Sequence, residues 1–128
     1  IRVTQLTDIN LGLFDGVNDL AGSDDVCVYR KSGGSYAVTL SGSGVGGAFE
    51  LANGASRIPY TVTWNGAGVG PGATLPGQLP TYTADEYCNS GAANNAVLGV
   101  SVLAADILAN ASADGAHIGV LSVVVQSE

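Results

Sequence analysis

His117 is the only histidine of the sequence, and it is therefore the only candidate for the imidazole base of a catalytic serine site. Such a site also needs a nucleophilic serine, which many hydrolases hold in a Gly-x-Ser-x-Gly turn. Neither Ser32, Ser41 nor Ser43 stands in that frame. We therefore expect His117 to be an ordinary strand residue, and we predict no catalytic residue and no enzymatic activity.

The acidic residues of one early stretch are Asp15, Asp19, Asp24 and Asp25. Clustered carboxylates suit calcium, but their spacing is not that of an EF-hand loop. Asp85 and Glu86 are adjacent and would point to opposite sides of a strand, which argues against a catalytic carboxylate pair. Two cysteines and one histidine are too few for a zinc site, which takes about four ligands. The sequence predicts no metal and no cofactor.

Aromatic residues can stack on sugar rings, and the sequence holds two groups of them. Tyr60 and Trp64 alternate with threonines, so they share the apolar face of a strand and are expected in the core. Tyr82 and Tyr87 lie in a long segment without regular pattern. They are the better candidates for contact with a carbohydrate.

The two cysteines, Cys27 and Cys88, are far apart in the sequence, and neither belongs to a Cys-x-x-Cys pair. We predict a disulfide between them, which the chain-entropy model values at on the order of 4 kcal/mol. The alternative is two buried thiols that are not bonded. A disulfide implies an oxidising compartment, so this bond would mark a secreted protein.

Composition separates the chain from several classes of protein. Its 128 residues suit one domain, and 46% of them are apolar while only 12% are charged. The formal net charge is −7, and only four residues are basic. Nucleic acids and anionic membranes are bound by clustered lysine and arginine, which this sequence lacks. No apolar run approaches the roughly 20 residues of a membrane span. We expect a secreted protein with neither a nucleic-acid partner nor a membrane span.

Short alternations of apolar and polar residues predict a chain built from strands. The predicted strands contain residues 9–13, 26–29, 36–40, 49–51, 58–64, 98–102 and 116–126. Asn53-Gly54 is a hairpin signal, residues 104–108 suit one helical turn, and residues 65–95 show little regular pattern. This spacing predicts an all-β sandwich in a single domain, residues 1–128.

Five segments carry a resemblance to a known family. They read Asp-Ile-Asn-Leu-Gly at 8–12, Val-Cys-Val-Tyr at 26–29, Tyr-Ala-Val-Thr-Leu at 36–40, Ile-Pro-Tyr-Thr-Val at 58–62 and Asp-Gly-Ala-His-Ile-Gly-Val-Leu-Ser-Val at 114–123. Together they resemble strands of bacterial chaperone–usher pilus subunits, in particular the archaic, spore-coat-U-like branch. His117 stands where that family often has tyrosine.

The resemblance implies an immunoglobulin-like β-sandwich that is incomplete and is completed by a donor strand from a neighbouring subunit. It also implies partners: copies of this chain or other pilus subunits in the filament, and a periplasmic chaperone and an usher during assembly. The implied location is the cell surface, as an extracellular filament reached through the periplasm.

Two sets of residues are candidates for the two sides of this contact. The donor-strand candidates share one face of the N-terminal segment and are Ile1, Val3, Gln5 and Thr7. The same alternation suits a first strand in the domain's own sheet, and that alternative stays open. The groove candidates belong to the last predicted strand, which we expect no later strand to cover, and are Ile118, Val120, Leu121, Val123 and Val125.

We therefore expect a structural subunit of an extracellular bacterial pilus, with a role in adhesion or biofilm formation. The alternative is a secreted carbohydrate-binding, lectin-like or tip-adhesin domain that uses Tyr82 and Tyr87. A secreted hydrolase is disfavoured, because His117 is the only credible base.

Overall fold

The computed structural model describes residues 1–31, 33–79, 88 and 95–128. Within these residues the chain forms ten strands, one short α-helix and a 3₁₀ turn at Val45–Gly47. The strands are β1 (Arg2–Thr4), β2 (Leu20–Tyr29), β3 (Tyr36–Ser41), β4 (Glu50–Asn53), β5 (Ser56–Pro59), β6 (Thr61–Trp64), β7 (Ala67–Val69), β8 (Thr74–Gln78), β9 (Ala96–Val102) and β10 (Ser122–Ser127). The helix α1 spans Ala104–Asn110.

The strands form antiparallel sheets that pack as two layers. The larger sheet has the order β1-β2-β9-β6-β7, and the smaller one has the order β10-β3-β8. The hairpin β4-β5 stands beside them. Side chains of both layers belong to one hydrophobic core, in which the indole N–H of Trp64 donates to the hydroxyl of Tyr36 at 3.1 Å. The predicted all-β sandwich is therefore confirmed at the level of its layers.

The core follows the period of two that a strand imposes on its side chains. In β9 every second residue from Ala96 to Val102 is buried, and the residues between them face outward. In β6 and just before it, Tyr60, Val62 and Trp64 are all buried. The prediction that these three side chains pack in the core is confirmed.

Two hairpins have two-residue turns. β4 and β5 form the hairpin that Asn53-Gly54 predicts, but the turn residues are Gly54, at φ 59, and Ala55, because Asn53 pairs with Ser56. Asn65-Gly66 joins β6 to β7, with φ values of 50 and 83 that a two-residue hairpin of type I′ requires at both central positions. The expectation of little regular structure after Asn65 is therefore wrong for β7 and β8.

The first predicted strand, residues 9–13, is not a strand in the structure. The carboxamide of Asn10 accepts a hydrogen bond from the amide of Gly12 at 2.9 Å, and Gly12 lies at φ 79, so the chain turns here. Ile9 still packs against the core, whereas Leu13 is 96% exposed. The sequence alternates as a strand would, but the hydrogen bond between the Asn10 side chain and the backbone favours a turn at this point.

The last strand is shorter than predicted, because β10 begins at Ser122 and not at residue 116. Before it, Ile118 makes a single antiparallel bridge to Ala52. The groove candidates Ile118, Val120 and Leu121 therefore precede the strand instead of lying in it.

The disulfide between Cys27 and Cys88 is present, with 6.0 Å between the two Cα atoms. Cys27 lies in β2 and both residues are buried. The bond joins β2 of the larger sheet to the chain between β8 and β9. The predicted pairing is confirmed, and the alternative of two separate thiols is not.

Candidate functional site

Among the described residues, the strand β10 has one open edge. It pairs with β3 along its whole length, from Ser122 opposite Ser41 to Ser127 opposite Tyr36, and no second strand of the described residues pairs with it. An edge of this kind presents unpaired backbone N–H and C=O groups. It is therefore able to accept a further strand.

The inward face of β10 is incompletely covered. Val123 and Val125 pack against the core but are only half-buried, whereas the inward residues of β9 are buried. The difference arises because β9 has a strand on both sides, whereas β10 has a strand on one side within the described ranges. The core is therefore open beside the free edge of β10.

A cleft of about 310 Å³ opens next to this edge, and we call it the β10 cleft. One wall is the N-terminal segment, the other is the chain that leads into β10, and the floor belongs to the core. Its lining residues are Leu6, Thr7, Asp8, Ile9, Leu11, Leu51, Tyr60, Leu98, Val100, Gly119, Val120, Leu121 and Val123. Most of these side chains are aliphatic, so the cleft suits an apolar occupant.

Asp24 holds the N-terminal wall of the β10 cleft in place. Its carboxylate accepts hydrogen bonds from the amide and the hydroxyl of Thr7, at 2.8 and 2.7 Å. Behind this contact Ile9 packs over Gly22, where an added Cβ would come within 2.6 Å of the Ile9 Cγ2. The sequence reading placed Asp24 among possible calcium ligands and missed this role.

The opposite wall is held by the hairpin β4-β5 and by the residues that directly follow β3. Ile118 exchanges two backbone hydrogen bonds with Ala52, at 2.8 and 2.9 Å. The amide of Val120 donates to the hydroxyl of Ser43 at 2.9 Å. Between them Gly119 approaches Glu50 so closely that a Cβ would stand 2.7 Å from its carbonyl oxygen. This wall therefore depends on a residue without a side chain.

Tyr60 lies in the floor of the β10 cleft. Its ring stacks on Phe49 with 5.4 Å between the ring centroids, and the residue is only 7% exposed. Burial raises the pKa of its phenol above the ordinary value. Tyr36 is also buried and its pKa is also raised by burial, but its hydroxyl accepts the hydrogen bond from Trp64. The hydroxyl of Tyr60 has no such partner in the described part of the chain.

His117 has a structural partner that the sequence reading missed. Its Nε2 lies 2.8 Å from the hydroxyl oxygen of Ser56, and its Nδ1 lies 3.2 Å from the carbonyl oxygen of Gly115. The Ser56 oxygen also accepts hydrogen bonds from the amides of Ser112 and Ala113. Ser56 is 3% exposed, so this hydroxyl ties the chain after α1 to β5 and is not accessible as a nucleophile.

The four early aspartates do not form one site. Asp15 accepts hydrogen bonds from Val17 and Asn18 in a turn, and those from Asn18 and Val17 lower the pKa of its carboxyl. Asp19 accepts the amide hydrogen of Ala104 at 2.7 Å, at the start of α1. Over the described ranges, no group of three or more His, Cys, Asp or Glu side chains is placed to hold a metal ion.

Five residues that were considered for a site, of which only the two tyrosines were favoured, lie outside the described residues. They are Ser32, Tyr82, Asp85, Glu86 and Tyr87. The carbohydrate contact expected of the two tyrosines therefore stays a prediction.

Of the donor-strand candidates, only Val3 lies in a strand of the domain's own sheet, whereas Ile1, Gln5 and Thr7 lie outside it. β1 pairs with β2 of the same chain, with Val3 opposite Val28. Gln5 follows at φ 67, where the chain leaves the sheet toward the β10 cleft. A single chain does not test whether residues 1–7 insert into a neighbour, so donation stays a prediction.

Comparisons with family models, with curated proteins and with solved structures found no match to this chain. A helix with both the length and the apolar character to cross a membrane does not occur in the described part of the chain. The fold and site define a disulfide-linked, all-β sandwich protein with an open edge strand beside an apolar cleft.

Proposed function

We propose that this chain is a structural subunit of an extracellular bacterial filament, assembled by insertion of a strand from one subunit into the next. The observation that carries the proposal is the open edge of β10 next to the β10 cleft. In this proposal the sandwich is of the immunoglobulin-like type and lacks one strand of its own.

A donated strand would cover both the free edge of β10 and the β10 cleft. Its backbone pairs with the free edge of β10, and its alternate side chains fill the β10 cleft. Covering aliphatic surface contributes about 0.8 kcal/mol for each buried CH₂ group. An edge of six residues with a half-buried apolar face is otherwise a site of uncontrolled association.

Residues 1–7 of a neighbouring copy are the proposed donor. The face that carries Ile1 and Val3 is apolar, as an inserted strand requires. In its own chain β1 has only three residues, lies at the end of the sheet order and, in the part of the chain that the structure describes, pairs with β2 alone. Such a short edge strand is held by few backbone bonds, and its exchange for an intermolecular pairing also gives up the two hydrogen bonds of Thr7 to Asp24.

The proposal extends to the partners and the location of the chain. Before assembly, an apolar cleft beside a free edge needs cover, which a periplasmic chaperone would supply by pairing with β10. An usher would then exchange that cover for the donor strand. The buried disulfide fits a protein that folds in an oxidising compartment and functions outside the cell, with a role in adhesion or biofilm formation.

Assembly of the purified chain tests the proposal. The full chain should form filaments visible by electron microscopy and ladders that resist SDS, and both should survive high salt because apolar burial is not screened. A variant without residues 1–7 should remain monomeric while its circular dichroism still reports a β fold. Assembly that is unaltered by this deletion would contradict donation by residues 1–7. A full chain that stays monomeric at every concentration, with or without its chaperone, would contradict the filament itself.

A further inference from the structure

We infer that the contact between Thr7 and Asp24 is an autoinhibitory latch, which keeps the isolated chain closed and must open before one copy pairs with another. While the latch is closed, residues 6–8 stay on their own chain as part of the N-terminal wall of the β10 cleft. When it opens, the same movement frees the proposed donor segment and widens the cleft. This regulation rests on the proposed function, and the partner is a second copy of this chain.

Two residues of the proposed donor segment also line the cleft of their own chain. Leu6 and Thr7 belong to residues 1–7, and both lie in the N-terminal wall of the β10 cleft. They cannot occupy this wall and a neighbour's cleft at the same time. The arrangement in the structure is therefore an alternative to strand insertion, and leaving it is a step of assembly.

The wall is held at Thr7 by a polar contact and not by apolar burial. Leu6, Thr7 and Asp8 are exposed, so packing contributes little to their position. Both carboxylate oxygens of Asp24 accept hydrogen bonds from Thr7, at 2.8 and 2.7 Å, and Asp24 is 8% exposed. Hydrogen bonds to a charged acceptor are about twice as strong as those between neutral groups. The Asp24 carboxylate therefore controls how firmly this stretch is attached to the sheet.

The latch is able to open because water can replace it. Thr7 is exposed, so both of its donors meet water when it leaves, and the Asp24 carboxylate becomes accessible through the same gap. Ile9 can stay in place, since it packs over Gly22 on the far side of the exposed Asp8. Opening therefore moves the chain before Ile9 and leaves the sheet itself in place.

The closed cleft is small for a strand. Its volume is about 310 Å³, which is at the lower end of the roughly 300–1,000 Å³ that small-molecule sites enclose. A strand that pairs with all six residues of β10 is about 20 Å long, at about 3.3 Å per residue. Removing Leu6 and Thr7 from the wall widens the cleft for the side chains of such a strand.

One movement therefore prepares a chain both to donate and to accept. An isolated chain with a closed latch does neither readily, whereas a chain whose N-terminal segment is inserted in a neighbour has already opened its own cleft. Growth then favours the end of an existing filament over a new pair of isolated chains. The expected signature is a lag before assembly, followed by faster growth.

Assembly kinetics of Asp24→Ala test the latch. Asp24 lies outside residues 1–7 and does not line the β10 cleft, so its replacement alters the latch and neither of the surfaces that meet. Because assembly starts from the open form, its rate follows the open fraction, and losing two hydrogen bonds to a carboxylate should raise the initial rate about 10- to 100-fold. The products should be the same ladders that resist SDS. Asp24→Asn, which keeps the shape and one oxygen, should give a smaller increase and serves if the alanine variant folds poorly.

Two controls separate release of the latch from loss of stability. Asp19→Ala removes the same charge and a comparable bond, to the amide of Ala104 at 2.7 Å, and neither of these residues lines the cleft. This variant should assemble at the wild-type rate. Asp24→Ala that also lacks residues 1–7 should not assemble, because the released segment is the donor.

Peptide binding tests the opening of the cleft. The probe is the labelled peptide Ile-Arg-Val-Thr-Gln-Leu-Thr, which repeats residues 1–7. It should bind the chain that lacks residues 1–7 at least about 10-fold more tightly than the full chain, whose own segment competes and narrows the cleft. Val123→Asp in the shortened chain should abolish this binding, because Val123 lines the cleft. Binding that survives Val123→Asp would place the peptide on β2 and would overturn the opening of the cleft.

The outcomes separate the latch from the proposed function. Ladders that Asp24→Ala and the wild type form at equal rates would overturn the latch and leave strand insertion intact. Slower assembly of Asp24→Ala would also overturn the latch, because the attached wall would then be needed to accept a strand. Faster assembly that persists without residues 1–7 would equally overturn it, since no donor would have been released. If no variant forms ladders at any concentration, the filament fails and the latch fails with it.

Discussion

The carboxylate of Asp24 accepts hydrogen bonds from both the amide and the hydroxyl of Thr7, at 2.8 and 2.7 Å, although the two residues are 17 positions apart in the sequence. Asp24 is a buried residue in the middle of β2, whereas Thr7 belongs to a segment without regular structure. This single side chain therefore attaches one wall of the β10 cleft to the larger sheet. The contact makes the shape of the cleft depend on a residue that does not line it.

Replacing Asp24 should release this wall. Asp24→Ala leaves two donors of Thr7 without their acceptor, so we expect a loss of about 1–3 kcal/mol in the free energy of unfolding. The amide of Thr7 should also lose its protection from hydrogen exchange. Asp25→Asn, at the outward-facing neighbour in the same strand, is the control and should leave that protection intact. Equal protection of the Thr7 amide in wild type and Asp24→Ala would mean that the wall is held by other contacts.

Trp64 should be the most costly single truncation in the core. It is fully buried between the layers, and Trp64→Ala removes both its ring and the hydrogen bond to Tyr36. We expect a loss of about 3–5 kcal/mol, measured by urea unfolding. Thr61→Ala, on the outward face of the same strand, should change stability by less than about 0.5 kcal/mol. A Trp64→Ala chain as stable as the wild type would contradict the packing role.

The buried core was predictable because it depends on a local pattern. The alternation around Tyr60 and Trp64 has a period of two, and a strand converts that period directly into inward and outward faces. The pairing of Cys27 with Cys88 was equally direct, since the chain has no other cysteine. Both predictions needed no knowledge of how distant segments meet.

The β10 cleft could not be predicted in the same way, because its walls depend on contacts between distant residues. The bond of Thr7 to Asp24 and that of Ser56 to His117 join segments that no sequence spacing relates. Asn95 is a further example: its carboxamide exchanges two hydrogen bonds of 2.8 Å with the backbone of Val28 and so continues the ladder between β2 and β9. In a sequence, an asparagine predicts a turn. Only the register of the sheet shows that the Asn95 side chain pairs with the backbone of a neighbouring strand.

Breaking the disulfide should destabilise the fold without changing its topology. Mass spectrometry should show the unreduced protein to be lighter than the fully reduced protein by the mass of two hydrogen atoms. The paired variant Cys27→Ser with Cys88→Ser should lose on the order of 4 kcal/mol, because 61 residues separate the two positions. Two thiols that react with an alkylating reagent in the native protein would show that the bond does not form.

Stability should fall in alkaline solution because of two buried phenols. Burial raises the pKa of Tyr36 and of Tyr60 above the ordinary value of 10.0, so the folded state holds these protons more tightly than the unfolded state does. Their contribution is fully present below pH 10 and is lost as the pH rises toward the folded-state pKa values. Urea unfolding between about pH 8 and pH 11 measures this decline in stability. The Tyr60→Phe chain should decline less steeply, and an identical slope would exclude Tyr60 as a source.

Placing a charge on the inward face of β10 should prevent assembly. Val123→Asp puts a carboxylate into the apolar cleft, where an inserted strand would have to bury it without a partner, so the ladders that resist SDS should disappear. Val124→Asp adds the same charge one residue later, on the outward face of the same strand, where Val124 is 53% exposed. This control should assemble like the wild type, and the two variants should show similar circular dichroism because β10 is an edge strand. If both variants polymerise equally, the subunit contact lies elsewhere on the molecule. If Val124→Asp alone fails, the contact uses the outer face of the β10-β3-β8 sheet and not the cleft.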